Sequence, residues 1–108
     1  MNQSKNVKIV VTTPESHADM VREAVGTAGA GRLGRYSYCS ISSNVIGRFK
    51  PDADADPAIG TVGMLESVEE ERIEAICERE SLQKVITAIK SVHPYEEVAV
   101  DIYALEDI

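Results

Sequence analysis

The residues best equipped for chemistry sit near the C-terminus, in the run His93-Pro94-Tyr95-Glu96-Glu97. An imidazole with two carboxylates is a donor set for a divalent metal ion, zinc or a similar transition ion above all. The spacing also fits a second reading. His93 would then close a helix, where a protonated imidazole is favoured by the helix dipole, Pro94 would turn the chain and Tyr95 would pack. A second group is Tyr36, Tyr38 and Ser40, followed by Ser42 and Ser43, a hydroxyl-rich stretch. It could line a polar cleft that recognises a small ligand through hydrogen bonds, or keep an edge strand soluble. Arg48 and Lys50 add positive charge beside it and would suit an anionic small molecule.

Other apparent motifs carry less. Gly29, Gly31 and Gly34 spell GxGxxG, but a dinucleotide fingerprint needs a strand before it and a helix after it, and here the order is reversed. Asp52, Asp54 and Asp56 imitate the first ligands of a calcium loop, yet Pro57 replaces its required glycine and Gly63 stands where the bidentate glutamate belongs. Cys39 and Cys77 read as reduced, buried thiols rather than a disulfide framework. His17 falls in the first turn of a helix and reads as exposed. No complete catalytic set is present.

These groups must be positioned by a small fold. The 108 residues are 44% apolar and suit one domain, residues 1–108, with an aliphatic core, since there is one Phe, four Tyr and no Trp. The net charge of -7 opposes nucleic acid and anionic membrane surfaces as partners. No apolar run reaches the roughly 20 residues that span a bilayer, and residues 1–8 lack a secretion signal, so a soluble cytoplasmic protein is expected.

Val7, Ile9 and Val11 alternate as a first strand. Thr13-Pro14-Glu15 then predicts an N-cap and helix start, with Val21, Ala24, Val25 and Ala28 on one helical face. A second strand is expected from Tyr36 to Phe49, bending near Ser43, and a long turn-rich loop from Gly47 to Gly63. Residues 69–77 alternate as a third strand. Leu82, Val85, Ile86, Ile89 and Val92 form a helical stripe, and residues 97–105 a last strand. The order βαββαβ predicts an α+β, ferredoxin-like sandwich: an antiparallel four-stranded sheet with both helices on one face. Val10, Ile76 and Tyr103 would fall on the helix-free face with Glu74 and Asp101, leaving a half-apolar surface that a second subunit could bury.

His93-Pro94-Tyr95-Glu96, following a helix and opening the last strand, resembles the C-terminal signature of CutA proteins, which have the PII-like form of this fold and assemble as trimers. More residues match a nearer family. Gly47-Arg48-Phe49-Lys50-Pro51, Pro57-Ala58-Ile59-Gly60, Gly63, Glu66, Arg72-Ile73-Glu74 and His93-Pro94-Tyr95-Glu96-Glu97 resemble the insert domain of the Nif-three-like (YqfO) family, a likeness spanning residues 7–105. In full-length members this domain interrupts a larger fold that binds two metal ions, and some are labelled GTP cyclohydrolase homologues. The resemblance implies a stand-alone insert domain without those metal ligands. Val98 and Ala104 depart from the family, which commonly has Pro there.

The expectation for function is a non-catalytic, homo-oligomeric module, a trimer by resemblance, that binds or senses a small molecule or a divalent metal ion beside the Gly47–Gly63 loop. Two other classes remain open: a metal-dependent hydrolase like that proposed for the full-length family, and a structural domain that docks another protein on its half-apolar sheet face.

Overall fold

A computed structural model describes residues 3–108. Its elements are β1 (Gln3–Pro14), α1 (Ala18–Thr27), β2 (Ile41–Phe49), β3 (Glu66–Glu78), α2 (Leu82–Val92) and β4 (Val100–Glu106), with a single 3-10 turn leading into each helix. The strands form one sheet in the order β2-β3-β1-β4, antiparallel throughout. This is the expected ferredoxin-like arrangement. Two long central strands, β1 and β3, are flanked by β2 and β4, whose outer edges pair with no other strand among the described residues.

Alternation decides what each strand buries. Val7, Ile9 and Val11 on β1 and Ile73, Ala75 and Cys77 on β3 form one buried layer with Val21 and Val25 of α1 and Val85 and Ile89 of α2. Val85 and Ile89 are fully buried, each contributing about 1.5–3 kcal/mol through removal of apolar surface from water. An ion pair from Arg22 to Glu71 ties α1 to β3.

The opposite face has no helix. Register places Val10 against Glu74 and Asp101, and Lys8 against Ile76 and Tyr103, so these six side chains share that surface. Lys8 Nζ bridges to Glu74 Oε1 at 3.3 Å. Tyr103 stays half-exposed, and Ile41 at the start of β2 is largely exposed. The half-apolar face expected from the pattern is therefore present.

Several boundaries differ from the sequence reading. Thr13 does not cap the helix: β1 runs on through Pro14, a 3-10 turn covers Glu15–His17, and α1 begins at Ala18 with no side-chain cap. β2 begins at Ile41, so Tyr36, Tyr38 and Ser40 lie in a loop. The cause is Gly31, whose positive φ of 79° turns the chain after α1. Its N–H donates to Ile76 O at 2.7 Å and its carbonyl accepts from Cys39 N–H at 2.8 Å, which holds the loop against β3 short of strand pairing. Gly47 belongs to β2, paired with Val68, and the loop proper runs from residue 50 to 65. β3 is longer than expected at both ends and β4 starts only at Val100. Among the described residues no helix is long and apolar enough to cross a membrane.

Candidate functional site

The β2–β3 end of the molecule carries a cleft of about 650 Å3. Its floor comes from Thr12, Gly47 and Glu70, and its walls from the 50–65 loop and the segment after α2. Glu70 is the central group. Alternation along β3 directs it to the same helix-free face as Glu74 and Ile76, yet it is only 4% exposed. Tyr95 Oη donates to its Oε2 at 2.8 Å. Gly47 is the reason the carboxylate fits: a Cβ at that position would stand 2.6 Å from Glu70 Cδ and closer still to Oε1. A glycine inside a strand commonly marks such a close approach.

Tyr95 is itself held from several sides. Its ring meets Phe49 edge-on, with centroids 5.8 Å apart. Burial, then the hydrogen bond to Glu70 and the negative charges of Glu70 and Glu66, push its hydroxyl well above the ordinary tyrosine range. The phenol therefore stays protonated and serves as a donor. Behind it, His93 Nε2 lies 2.7 Å from Thr12 O, and the Tyr95 backbone N–H donates to Nδ1 at 3.2 Å. The pairing between β1 and β4 ends at Val11–Val100, so His93 supplies the partner that the Thr12 carbonyl no longer finds in β4. The two bonds together select the tautomer with hydrogen on Nε2.

The ring that the sequence offered as a metal ligand thus has both nitrogens engaged. His93 is buried, Glu96 and Glu97 are exposed, and Glu96 Oε1 accepts from the Asp56 backbone N–H at 2.8 Å, pinning the long loop to the segment after α2. Among the described residues no three His, Cys, Asp or Glu side chains gather in a way that could hold a metal ion. Occupation of His93 by a metal would require the loss of one of its two hydrogen bonds.

The other expected site residues separate into two groups. Arg48 and Lys50 line the cleft. Tyr36, Tyr38 and Ser40 lie beyond the opposite end of β2: register runs from Ile41–Glu74 to Phe49–Glu66, about 27 Å at the usual strand rise. Tyr38 Oη is 3.0 Å from Thr27 Oγ1, against α1. The reading from sequence missed Glu70 as a cleft residue, and had Gly47 and Phe49 only as part of the loop beside the cleft. The charge balance also differs from the anion site that Arg48 and Lys50 suggested, because Asp52, Asp54, Glu70, Glu96 and Glu97 all contribute to the lining.

No family model matches the chain. Curated relatives do. A protein of Halalkalibacterium halodurans named GTP cyclohydrolase 1 type 2 homolog is 50% identical over 98 residues, 91% of this chain and 26% of its own length. Its Bacillus subtilis counterpart is 48% identical over 99 residues, 92% of this chain and 26% of its own. Among solved structures, a Bacillus cereus protein related to NIF3 superposes with a TM-score of 0.84 at 44% identity, covering 99% of this chain and 27% of that one. The chain is a homologue of one segment of the Nif-three-like proteins. It spans about a quarter of the length of these relatives.

The fold has wider company. The CutA protein of Archaeoglobus fulgidus, described as a periplasmic divalent cation tolerance protein, matches with a TM-score of 0.69 at 15% identity, covering 94% of this chain and 85% of its own. Bacillus subtilis GlnK, in complex with ATP, matches at 0.62 and 16% identity, covering 95% and 82%. At such identities the likeness is one of fold, and it identifies the architecture as CutA/PII-like.

Proposed function

We propose that this chain is a non-catalytic, homo-oligomeric binding module, active in the cytoplasm, that takes a small molecule in the cleft between the 50–65 loop and the segment after α2. The observation that carries this reading is the cleft itself. It combines a buried carboxylate, a phenol kept protonated as its donor, and an apolar wall that includes Phe49 and Pro51. A concave, largely preformed site with a few convergent polar groups is the common form of a ligand pocket. The half-apolar, helix-free face supports self-association, with a trimer as the specific form, because it offers Tyr103 and Ile41 to a second copy. Two free cysteines accord with a reducing compartment.

Fold neighbours named for divalent cation tolerance or crystallised with ATP make ligand sensing a fitting use of the architecture. The metal version of the reading, with His93, Glu96 and Glu97 as ligands, requires His93 to turn out of its present bonds. A hydrolytic role like the one named for the longer relatives would draw on the remaining three-quarters of their length. Amide chemical shifts recorded on labelled protein against a panel of small metabolites and divalent cations test the proposal. Perturbations converging on Gly47, Phe49, Glu70 and Tyr95 are expected; perturbations confined to the exposed sheet face would refute the cleft as the site.

A further inference from the structure

We infer that the cleft selects a small organic cation, an ammonium, amidinium or guanidinium head carried on a flat or apolar body, and that Glu70 is the group that selects it. This inference rests on the proposal that the cleft is a ligand site. Glu70 lines the cleft although it is only 4% exposed. Its Oε2 accepts the Tyr95 hydroxyl, while among the described residues Oε1 accepts no hydrogen bond and neither oxygen forms an ion pair. A carboxylate has room for about four hydrogen bonds, and one this buried with a single neutral donor keeps acceptor capacity that a ligand in the cleft can use. The natural complement is a ligand that brings both positive charge and N–H donors.

The surroundings favour the same sign. Asp52, Asp54, Glu96 and Glu97 stand around the mouth, against Arg48 and Lys50, and the whole chain carries -7. The field at the cleft therefore concentrates cations and repels anions. Phe49 and Tyr95 present aromatic surface beside the carboxylate, and Pro57 and Ile59 continue the apolar wall. Such surfaces suit the body of a flat cation, with an added cation–π attraction. An anion would instead place its charge near the Glu70 carboxylate, which forms no ion pair among the described residues.

Three probes of one shape and different charge test this: benzamidine, neutral benzamide and anionic benzoate, each titrated into the intact chain by calorimetry, with amide shifts to locate binding. Benzamidine should bind at Gly47, Phe49 and Tyr95, and roughly tenfold to a hundredfold more tightly than benzamide, the range expected for a hydrogen-bonded charge. Benzoate should not bind. The isosteric Glu70→Gln variant should remove most of that preference, while the charge series on the unaltered chain decides the matter even if the variant folds poorly. If benzamide or benzoate binds in the cleft as well as benzamidine does, the cleft survives as a ligand site and the preference for cations is overturned. If none of the three perturbs the cleft, both the preference and the site are overturned.

Discussion

Replacing His93 by Ala separates a structural role from a metal-binding one. His93 is 8% exposed; its ring donates to Thr12 O at 2.7 Å and accepts from Tyr95 N–H at 3.2 Å. Truncation leaves a carbonyl and an amide without partners where β4 has already stopped pairing with β1. Each orphaned group costs about 1–3 kcal/mol. Water admitted by the truncation recovers part of this, while the lost ring packing adds to the cost. A net loss of about 2–4 kcal/mol follows, a large share of the 5–15 kcal/mol that holds a typical domain. At about 4 °C or more per kcal/mol for a chain of this size, the melting temperature should fall by roughly 8–16 °C. Thermal unfolding followed by circular dichroism at a fixed protein concentration reads this directly, and zinc uptake by equilibrium dialysis should be the same for both proteins. A variant that melts within about 0.5 kcal/mol of the parent but loses a bound metal would refute the reasoning and restore His93 as a ligand.

Four further outcomes follow from the same geometry. Gly47→Ala should cost about 1–3 kcal/mol, because its methyl group displaces the Glu70 carboxylate from the Tyr95 hydroxyl; urea unfolding measures it. The Tyr95 hydroxyl is held above its unfolded value by burial and then by Glu70. Its contribution to stability is therefore complete below the unfolded tyrosine pKa, near 10, and is lost as pH rises beyond it. Unfolding free energies should decline above that pH in the parent and less in Tyr95→Phe. Iodoacetamide should label the partly exposed Cys39 before Cys77, which is buried and whose thiol burial, then the charge of Glu78, pushes above its ordinary value; mass mapping of a time course checks the order. Ile89→Ala, at a fully buried position of α2, should cost about 2–5 kcal/mol in urea unfolding.

The elements that depend on local pattern were legible in the chain. Leu82, Val85, Ile89 and Val92 repeat at helical spacing, and α2 spans those residues. The alternation of Val7, Ile9 and Val11 marks β1, and the βαββαβ order leaves few alternatives to the sheet observed. The start of β2 was not legible, because the alternation from Tyr36 to Ser40 is one of hydroxyls and carries no preference for a buried face. What keeps those residues out of the sheet is a contact between Gly31 and Ile76, distant in sequence. The floor of the cleft was hidden for a related reason. Glu70 stands in a run of glutamates, Glu69-Glu70-Glu71, that reads as a solvated face. Only the register with β1 and β2 and the approach of Tyr95 from residues beyond α2 bury it. One signal was available: Gly47, within a strand-like stretch, announces that something comes close to its backbone.

Native mass spectrometry of untagged protein, released gently from cells, tests the central claim most directly because it reports subunit number and retained mass together. A homo-oligomer, three subunits in the specific form proposed, that keeps a small organic mass in the parent and loses it in Glu70→Gln is the predicted result. A single subunit carrying nothing, or a retained mass indifferent to Glu70, would contradict it.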